Sequence, residues 1–123
     1  MATNPIPRDP VLTLYVESSG EECTFRCAGR IVSETVELLR SEVKPAFAQF
    51  STVILDLTDV SYMDSSGLGA MVGLYVSAKT AKCQLKLINL NKRVKELFSL
   101  TRVGEVFGKE ATQLWEIYNR PTP

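Results

Sequence analysis

The chain has 123 residues, of which 45% are apolar and 23% charged, and its mean hydropathy is +0.02. These values are typical of one globular domain with its own core, and they exclude a disordered, collagen-like or coiled-coil protein. The 14 basic residues balance 14 acidic ones, so the basic excess of a nucleic-acid-binding protein is missing and we expect no direct contact with nucleic acid. There is no histidine, which excludes histidine-dependent catalytic triads and histidine-ligated metal sites.

The N-terminal residues, the longest apolar run and the cysteines together predict a location inside the cell. Residues 1–10 are polar with three prolines, which indicates a flexible arm and no secretory signal. The longest uncharged, mostly apolar run, Ser65 to Ala78, is too short to span a bilayer, so we expect no membrane insertion. The cysteines, Cys23, Cys27 and Cys83, are odd in number and typical of free thiols in a reducing compartment. We read them as small hydrophobic residues of a cytoplasmic protein.

The first half of the chain predicts a hairpin followed by a helix. Val11 to Ser18 alternates and is rich in residues that favour strands, and Cys23 to Ala28 gives a second strand that Gly29 should end. The short turn between the two strands predicts antiparallel pairing. Ser33 is placed to cap a helix, and Pro45 should kink or divide that helix.

The second half of the chain alternates strands and helices. Thr52 to Leu57 is a nearly continuous apolar run, which is typical of a central strand buried on both faces. The elements expected after it are a helix at 65–79, a strand at 84–89, a helix at 91–100, an edge strand at 103–107 and a helix at 111–118. This order predicts a single α/β domain over residues 11–118, with a mixed sheet, about four flanking helices and a C-terminal tail at 119–123.

The start of the helix at residue 65 is the leading candidate site. In open α/β sheets, function gathers where strands end and helices begin. Asp64, Ser65 and Ser66 compete there for the cap position. A seryl hydroxyl at a helix N-terminus also suits a phosphoryl group, since backbone N–H groups and the positive end of the helix dipole meet it.

The helix that follows carries no charge between Asp64 and Lys79, although a solvated helix face normally does. Its helical wheel predicts that one face packs on the sheet and that the opposite face either docks a partner or is covered by the same chain. The inward face should consist of Leu68, Met71, Val72 and Tyr75. The residues expected to bind a partner, those of the helix start included, are Asp64, Ser65, Ser66, Gly67, Gly69, Ala70, Gly73 and Ser77.

The run Tyr62-Met63-Asp64-Ser65-Ser66-Gly67-Leu68-Gly69 resembles the signature of STAS-domain anti-anti-sigma factors, also called anti-sigma factor antagonists. The upstream segment 53–57 and the downstream segments 89–90 and 94–101 fit the same pattern. The resemblance covers residues 11 to 118, which is almost the whole chain.

The resemblance implies a regulatory function. In such proteins an anti-sigma factor that is also a serine kinase phosphorylates a serine of this motif, and a metal-dependent phosphatase reverses the modification. The unphosphorylated form binds the kinase and releases the sigma factor. By position the acceptor is Ser65, with Ser66 as second choice, and no cofactor is implied. An alternative is a STAS module that binds ligands or acts as a scaffold in a transport or stress-signalling complex.

An enzyme is the reading that the sequence favours least. Asp56, Asp59 and Asp64 lie near one strand end and would suit Mg²⁺, but no phosphohydrolase or receiver-like pattern accompanies them. There is also no P-loop and no Gly-x-Ser-x-Gly motif.

One position departs from the family pattern. Many relatives carry an aspartate soon after the second strand, and here Val32 takes its place. The departure implies a slower or more selective kinase substrate, unless Val32 only packs and Ser33 caps the helix.

Overall fold

The computed structural model describes residues 12–100, apart from the side chains of residues 99 and 100. Its elements are β1 (Leu12–Ser19), β2 (Glu22–Ile31), α1 (Val36–Val43), a 3₁₀ helix (Lys44–Ala48), β3 (Thr52–Met63), α2 (Ser65–Thr80), β4 (Gln84–Ile88) and α3 (Lys92–Leu100). The N-terminal arm, the edge strand at 103–107, the helix at 111–118 and the C-terminal tail, all expected from the sequence, lie outside the described residues. None of the helices within 12–100 has the length and apolar character needed to cross a membrane.

The four described strands form one mixed sheet in the order β1-β2-β3-β4. β1 and β2 pair antiparallel, as the hairpin pattern predicted, and Gly20 makes their tight turn with φ +59°, a conformation that favours glycine. β2, β3 and β4 run parallel. Their carboxyl ends therefore meet at one edge of the sheet, and the loops that carry the candidate site start there.

The core lies between one face of the sheet and the helices. Alternate residues of the two central strands are buried on this face: Cys23, Phe25, Cys27, Val53, Leu55 and Leu57. The helices contribute Leu39, Val43, Phe47, Met71, Leu74 and Val94 to the same cluster. Each large buried aliphatic side chain contributes about 1.5–3 kcal/mol relative to exposure, so this cluster supplies a large favourable contribution to folding that offsets the loss of chain entropy.

β3 is longer than the sequence predicted. Its expected end was Leu57, where the apolar run that predicted the strand stops, but the strand continues to Met63. Pairing with β2 holds the extension in place. The register shifts twice, and each shift inserts one extra residue of β3, which increases the local twist next to the candidate site.

β2 also continues past its expected end at Gly29 and stops at Ile31. Gly29 has φ +122° and lies at the second register shift, so the glycine that was expected to end the strand instead accommodates its irregularity. The last pair of the ladder joins Ile31 to Met63, which brings the loops after both strands side by side.

The prediction that Ser33 caps α1 is wrong. The helix begins at Val36, after Thr35, and the Ser33 hydroxyl donates to the Glu34 carboxylate at 3.2 Å instead. The buried Thr35 hydroxyl donates to the Arg30 carbonyl at 2.8 Å and so fixes the turn before the helix. The expected division at Pro45 is confirmed, since α1 ends at Val43 and the proline lies in the first turn of the 3₁₀ helix.

Candidate functional site

Three short segments follow the carboxyl ends of the parallel strands and together form what we call the rim: residues 32–35 after β2, 64–66 after β3 and 89–93 after β4. Hydrogen bonds tie these segments to neighbouring strands. The Asp64 N–H donates to the Ile31 carbonyl at 3.4 Å, and the Asn91 side chain donates to the Val60 carbonyl at 2.8 Å. These hydrogen bonds connect the segments after β3 and β4 to the strands of the sheet.

Asp64 caps α2. Its backbone is extended, with φ −106° and ψ −172°, and its carboxylate accepts a hydrogen bond from the Gly67 N–H at 3.0 Å. Its carbonyl accepts the first helical bond, from Leu68 at 3.0 Å. The sequence left three residues competing for this position, and the structure assigns it to Asp64. Such a cap stabilises a helix by about 1 kcal/mol.

Gly67 is a structural residue and not part of an exposed surface. It is buried, and a Cβ at this position would collide with the Ile31 carbonyl oxygen and lie 2.7 Å from the Met63 Cγ atom. Only glycine lets the first turn of α2 approach the end of β2 so closely. The expectation that Gly67 contacts a partner stays a prediction, which this burial does not favour.

Ser65 and Ser66 occupy the first turn of α2, and both are exposed. Within residues 12–100, neither hydroxyl makes a hydrogen bond to another group. Because Asp64 already supplies the cap, both serines are available for chemistry without loss of the helix end. A phosphoryl group on either would lie near the positive end of the helix dipole.

Within residues 12–100, the outer side of α2 carries no charge before Lys79 in its last turn. We call it the α2 surface and define it by Ser65, Ser66, Gly69, Gly73 and Val76, which are exposed or half-exposed. Among the described residues, no atom other than those of the chain neighbours and of the helix's own backbone lies within 4 Å of the position that a Cβ would take at Gly69 or Gly73. Neither glycine is therefore required by packing within the described residues. Val76 is 50% exposed, which is high for an aliphatic side chain.

The predicted orientation of α2 needs a correction. Ala70, expected on the outside, is fully buried, and Leu74 is buried where Val72 and Tyr75 were expected to be. Ser77 is half-buried at the margin of the α2 surface. Because α2 packs against both the sheet and α1, its buried side is wide, and no charged residue before Lys79 marks its outer side in the sequence.

The exposure of Val76 was not expected from the sequence. Val76 lies seven residues after Gly69 and three after Gly73, so it falls on the same side of the helix as both glycines. This spacing is the sequence signal that indicates an exposed Val76, provided that Gly69 and Gly73 are known to lie on the exposed side of α2.

The Asp56 carboxylate lies at the edge of the rim, and its role there is structural. It accepts hydrogen bonds from the Thr58 hydroxyl at 2.6 Å and from the Asn89 side chain at 3.0 Å. Partial burial acts to raise the pKa of Asp56, but these hydrogen bonds and the positive charge of Arg26 outweigh it and lower the pKa below its usual value.

Asp59 is engaged separately. Its carboxylate accepts from Arg26 at 2.8 Å, and the same guanidinium lies 4.3 Å from the centre of the Tyr15 ring, so the three side chains link β1, β2 and β3 on the face away from the helices. Among residues 12–100 there is no group of three or more histidine, cysteine, aspartate or glutamate side chains that could hold a metal ion.

Val32 is buried, with 4% of its surface exposed, and its N–H donates to the Thr35 hydroxyl at 2.9 Å. Val32, which stands where the family resemblance leads us to expect an aspartate, therefore belongs to the packed part of the rim. Whether its missing carboxylate slows a kinase stays a prediction.

The three cysteines are free and buried. Burial, together with the nearby negative charge of Asp56, raises the pKa of the Cys27 thiol to about 12. Burial also raises the pKa of Cys23 and Cys83. All three thiols are protonated at neutral pH and unsuited to nucleophilic chemistry.

Comparison with known proteins identifies the family. The STAS domain family model matches residues 14–120. The anti-sigma-B factor antagonist of Bacillus subtilis is 34% identical over 95 residues, which cover 77% of this chain and 87% of that protein. The protein named "Probable sulfate transporter 4.2" of Arabidopsis thaliana is 39% identical over 89 residues, which cover 63% of this chain but 13% of the transporter.

Solved structures give the same result. The anti-sigma factor antagonist SpoIIAA in its unphosphorylated form superposes with a TM-score of 0.64 at 25% identity, over 76% of this chain and 84% of that chain. SpoIIAA in the phosphorylated form superposes with a TM-score of 0.61 at 24% identity, over 76% and 86%. The fold, the motif at the start of α2 and a family match across most of the sequence agree, and the chain belongs to the STAS domain family.

Proposed function

We propose that this protein is an anti-sigma factor antagonist whose binding is switched by phosphorylation of Ser65. It binds an anti-sigma factor that is also a serine kinase, and it does so in the unphosphorylated form. A metal-dependent serine phosphatase restores this form. The protein acts in the cytoplasm as a regulator and not as an enzyme, with no cofactor and no direct contact with nucleic acid.

The observation that carries the proposal is the position of Ser65. Its hydroxyl is exposed in the first turn of α2, makes no hydrogen bond within the described residues, and is not needed as the cap, which Asp64 supplies. The B. subtilis relative, an anti-sigma-B factor antagonist by name, and SpoIIAA, solved in unphosphorylated and phosphorylated forms, support an antagonist that phosphorylation switches. The choice of Ser65 as the acceptor rests on its place in the motif.

The α2 surface explains how one phosphate changes binding. Gly69 and Gly73 leave the helix backbone open to close approach by a partner, and no charge on this side has to be desolvated when the partner docks. Phosphorylation of Ser65 adds about two negative charges at the end of this surface. A partner that fits the uncharged surface would then have to bury unpaired charge, whereas the fold tolerates the phosphate at a helix N-terminus.

Substitution of Ser65 tests the switch. Ser65→Asp should abolish capture of the anti-sigma factor from lysates of the native cells, because it places a negative charge on the docking surface. Ser65→Ala should keep capture and abolish phosphate incorporation by the captured kinase. Both variants should lie within about 1 kcal/mol of wild type in thermal unfolding, because Asp64 keeps the helix capped. Capture is measured by mass spectrometry, and incorporation by phosphosite mapping.

Ser66→Ala is the matched control, since it removes the neighbouring hydroxyl from the same turn. It should be phosphorylated and captured like wild type. If Ser65→Ala is phosphorylated to the wild-type level while Ser66→Ala is not, Ser66 is the acceptor and the assignment to Ser65 is wrong.

A second function is favoured by the similarity to the plant sulfate transporter. In that case the chain would be a STAS module that serves a transport or stress-signalling complex. The same capture experiment separates the two functions. Recovery of membrane transport components, with capture unaffected by Ser65→Asp, would favour the transport function over the antagonist.

A further inference from the structure

Charge is unevenly distributed along the domain although its net charge is zero. Six basic residues and no acidic residue occur between Asp64 and Glu96. By contrast, nine of the ten acidic residues within 12–100 lie at or before Asp64. Because β4 lies at the opposite side of the described sheet from β1, positive charge collects on the side of β4 and α3.

Two of the basic residues, Lys92 and Arg93, lie in the first turn of α3, and both are exposed. Neither forms an ion pair with another residue between positions 12 and 100. Cations in a first turn are unfavourable, since they face the positive end of the helix dipole. A placement that opposes helix stability, with no compensating contact in the described domain, points to a role outside the fold.

The position of α3 on the rim relates these cations to Ser65. The Asn91 side chain donates to the Val60 carbonyl at 2.8 Å and accepts from the Val94 N–H at 2.9 Å, so it anchors the first turn of α3 to β3. β3 ends three residues after Val60, and Ser65 follows. On the other side of Ser65, the segment after β2 carries Glu34, which is exposed. Ser65 therefore lies between a carboxylate and two cations along the rim.

We infer that Lys92 and Arg93 are a docking contact for an acidic patch on the anti-sigma factor, and that this contact orients the partner over the α2 surface. The inference rests on the proposed function. It adds that the partner surface facing the start of α3 is negatively charged. Complementary charge accelerates encounter and excludes wrong orientations more than it adds affinity. Two cations beside Glu34 and Asp64 are too few for a phosphate backbone, so an acidic protein surface is the better match.

Charge reversal tests the inference. The probe is the anti-sigma factor captured by the wild-type chain, purified and free of nucleotide. Association rates are measured by stopped flow for wild type and for Lys92→Glu/Arg93→Glu, at 50 mM and 500 mM NaCl. The double variant should associate about tenfold more slowly at low salt and nearly like wild type at high salt, because screening removes steering. Its melting temperature should be equal or higher, since acidic residues suit a first turn.

The matched control is Lys44→Glu/Lys82→Glu. It makes the same change in net charge with two exposed lysines at the other end of the parallel strands, and it should associate within twofold of wild type. Lys92→Gln/Arg93→Gln, which removes charge without reversing it, should give a smaller loss of the same sign. This variant also replaces the first if that one fails to fold.

Several outcomes overturn the inference. If Ser65→Asp abolishes binding while Lys92→Glu/Arg93→Glu associates like wild type at both salt concentrations, the proposed function stands and the inference fails. If Lys92→Glu/Arg93→Glu and Lys92→Gln/Arg93→Gln both melt at a lower temperature than wild type, the two cations stabilise the fold and are not kept for docking. Binding of a labelled DNA duplex by wild type, lost in the double variant, would replace the protein partner with nucleic acid. If wild type captures no anti-sigma factor, the proposed function and the inference fail together.

Discussion

Three glycines of α2 have different physical roles although they lie within two turns of one helix. Gly67 is buried, and a side chain there would collide with the end of β2. In the described part of the chain, Gly69 and Gly73 have open space where a Cβ would lie. The first glycine is therefore required by the fold, whereas the other two lower the stability of the helix without any requirement from the described packing.

Alanine substitution should separate these roles. Gly67→Ala should destabilise the protein by about 1–3 kcal/mol or more, because the methyl group forces α2 away from β2. Gly69→Ala should stabilise it by up to about 1 kcal/mol, because alanine favours helix and meets open space. Urea unfolding at pH 7 measures both changes. Equal effects of the two substitutions would show that the close approach of α2 to the Ile31 carbonyl does not constrain the helix.

At the scale of elements, α2 has two unlike sides. Its inner side, with Leu68, Ala70, Met71 and Leu74, joins the core cluster or its margin, and its outer side is the α2 surface. Before Lys79 in the last turn, the exposed side of α2 carries no charge, which is unusual for a solvated helix surface. The proposed function gives this side a partner, so changes there should alter binding and leave folding unchanged.

Gly73→Arg tests this separation. It places bulk and charge on the α2 surface, so binding of the anti-sigma factor should weaken at least tenfold in isothermal titration. Thermal stability should be unchanged or rise by up to about 1 kcal/mol, because arginine favours helix over glycine. Gly73→Ala is the control and should bind more tightly than Gly73→Arg. If Gly73→Arg unfolds while Gly73→Ala is stable, this side of α2 is packed within the protein and is no docking surface.

At the scale of the whole molecule, the central strand β3 holds the domain together. It pairs with β2 and β4 in parallel, and its Asp56 carboxylate accepts a hydrogen bond from Asn89, just after β4. The pKa of Asp56 is lowered, so its ionised form is favoured by folding. This contribution to stability is fully present above the ordinary pKa of 3.8 and is lost as the pH falls through the lowered pKa of the folded protein.

Asp56→Asn should therefore change how stability depends on pH. The variant should be less stable than wild type at pH 7, and the difference should shrink as the pH falls below about 4, where the carboxyl group gains its proton. Chemical unfolding at a series of pH values from 7 to 2.5 measures this trend. A difference between wild type and variant that stays constant over this range would show that the charge of Asp56 does not stabilise the fold.

The sequence predicted the features that depend on neighbouring residues and did not predict those that depend on contacts between distant segments. The hairpin and the division at Pro45 depend on alternation and on one missing N–H, both local properties, and both are confirmed. The extension of β3 to Met63 depends on pairing with β2, which overrides turn-forming residues. The orientation of α2 depends on which elements pack against it. A helix without charged residues before its last turn does not indicate which of its sides faces solvent. The start of α1 depends on the hydrogen bond from the Thr35 hydroxyl to the Arg30 carbonyl. This bond connects the turn before α1 to β2, so the helical pattern alone does not predict it.

The burial of all three cysteines makes the protein a convenient subject for fluorescence work. Thiol-reactive dyes attack the thiolate, and the native thiols are both covered and protonated at neutral pH. A cysteine introduced in place of Ser41, an exposed residue of α1, would take the dye while the natural cysteines stay in place. A labelled antagonist prepared in this way keeps its core intact, and its encounter with a partner can be followed in real time.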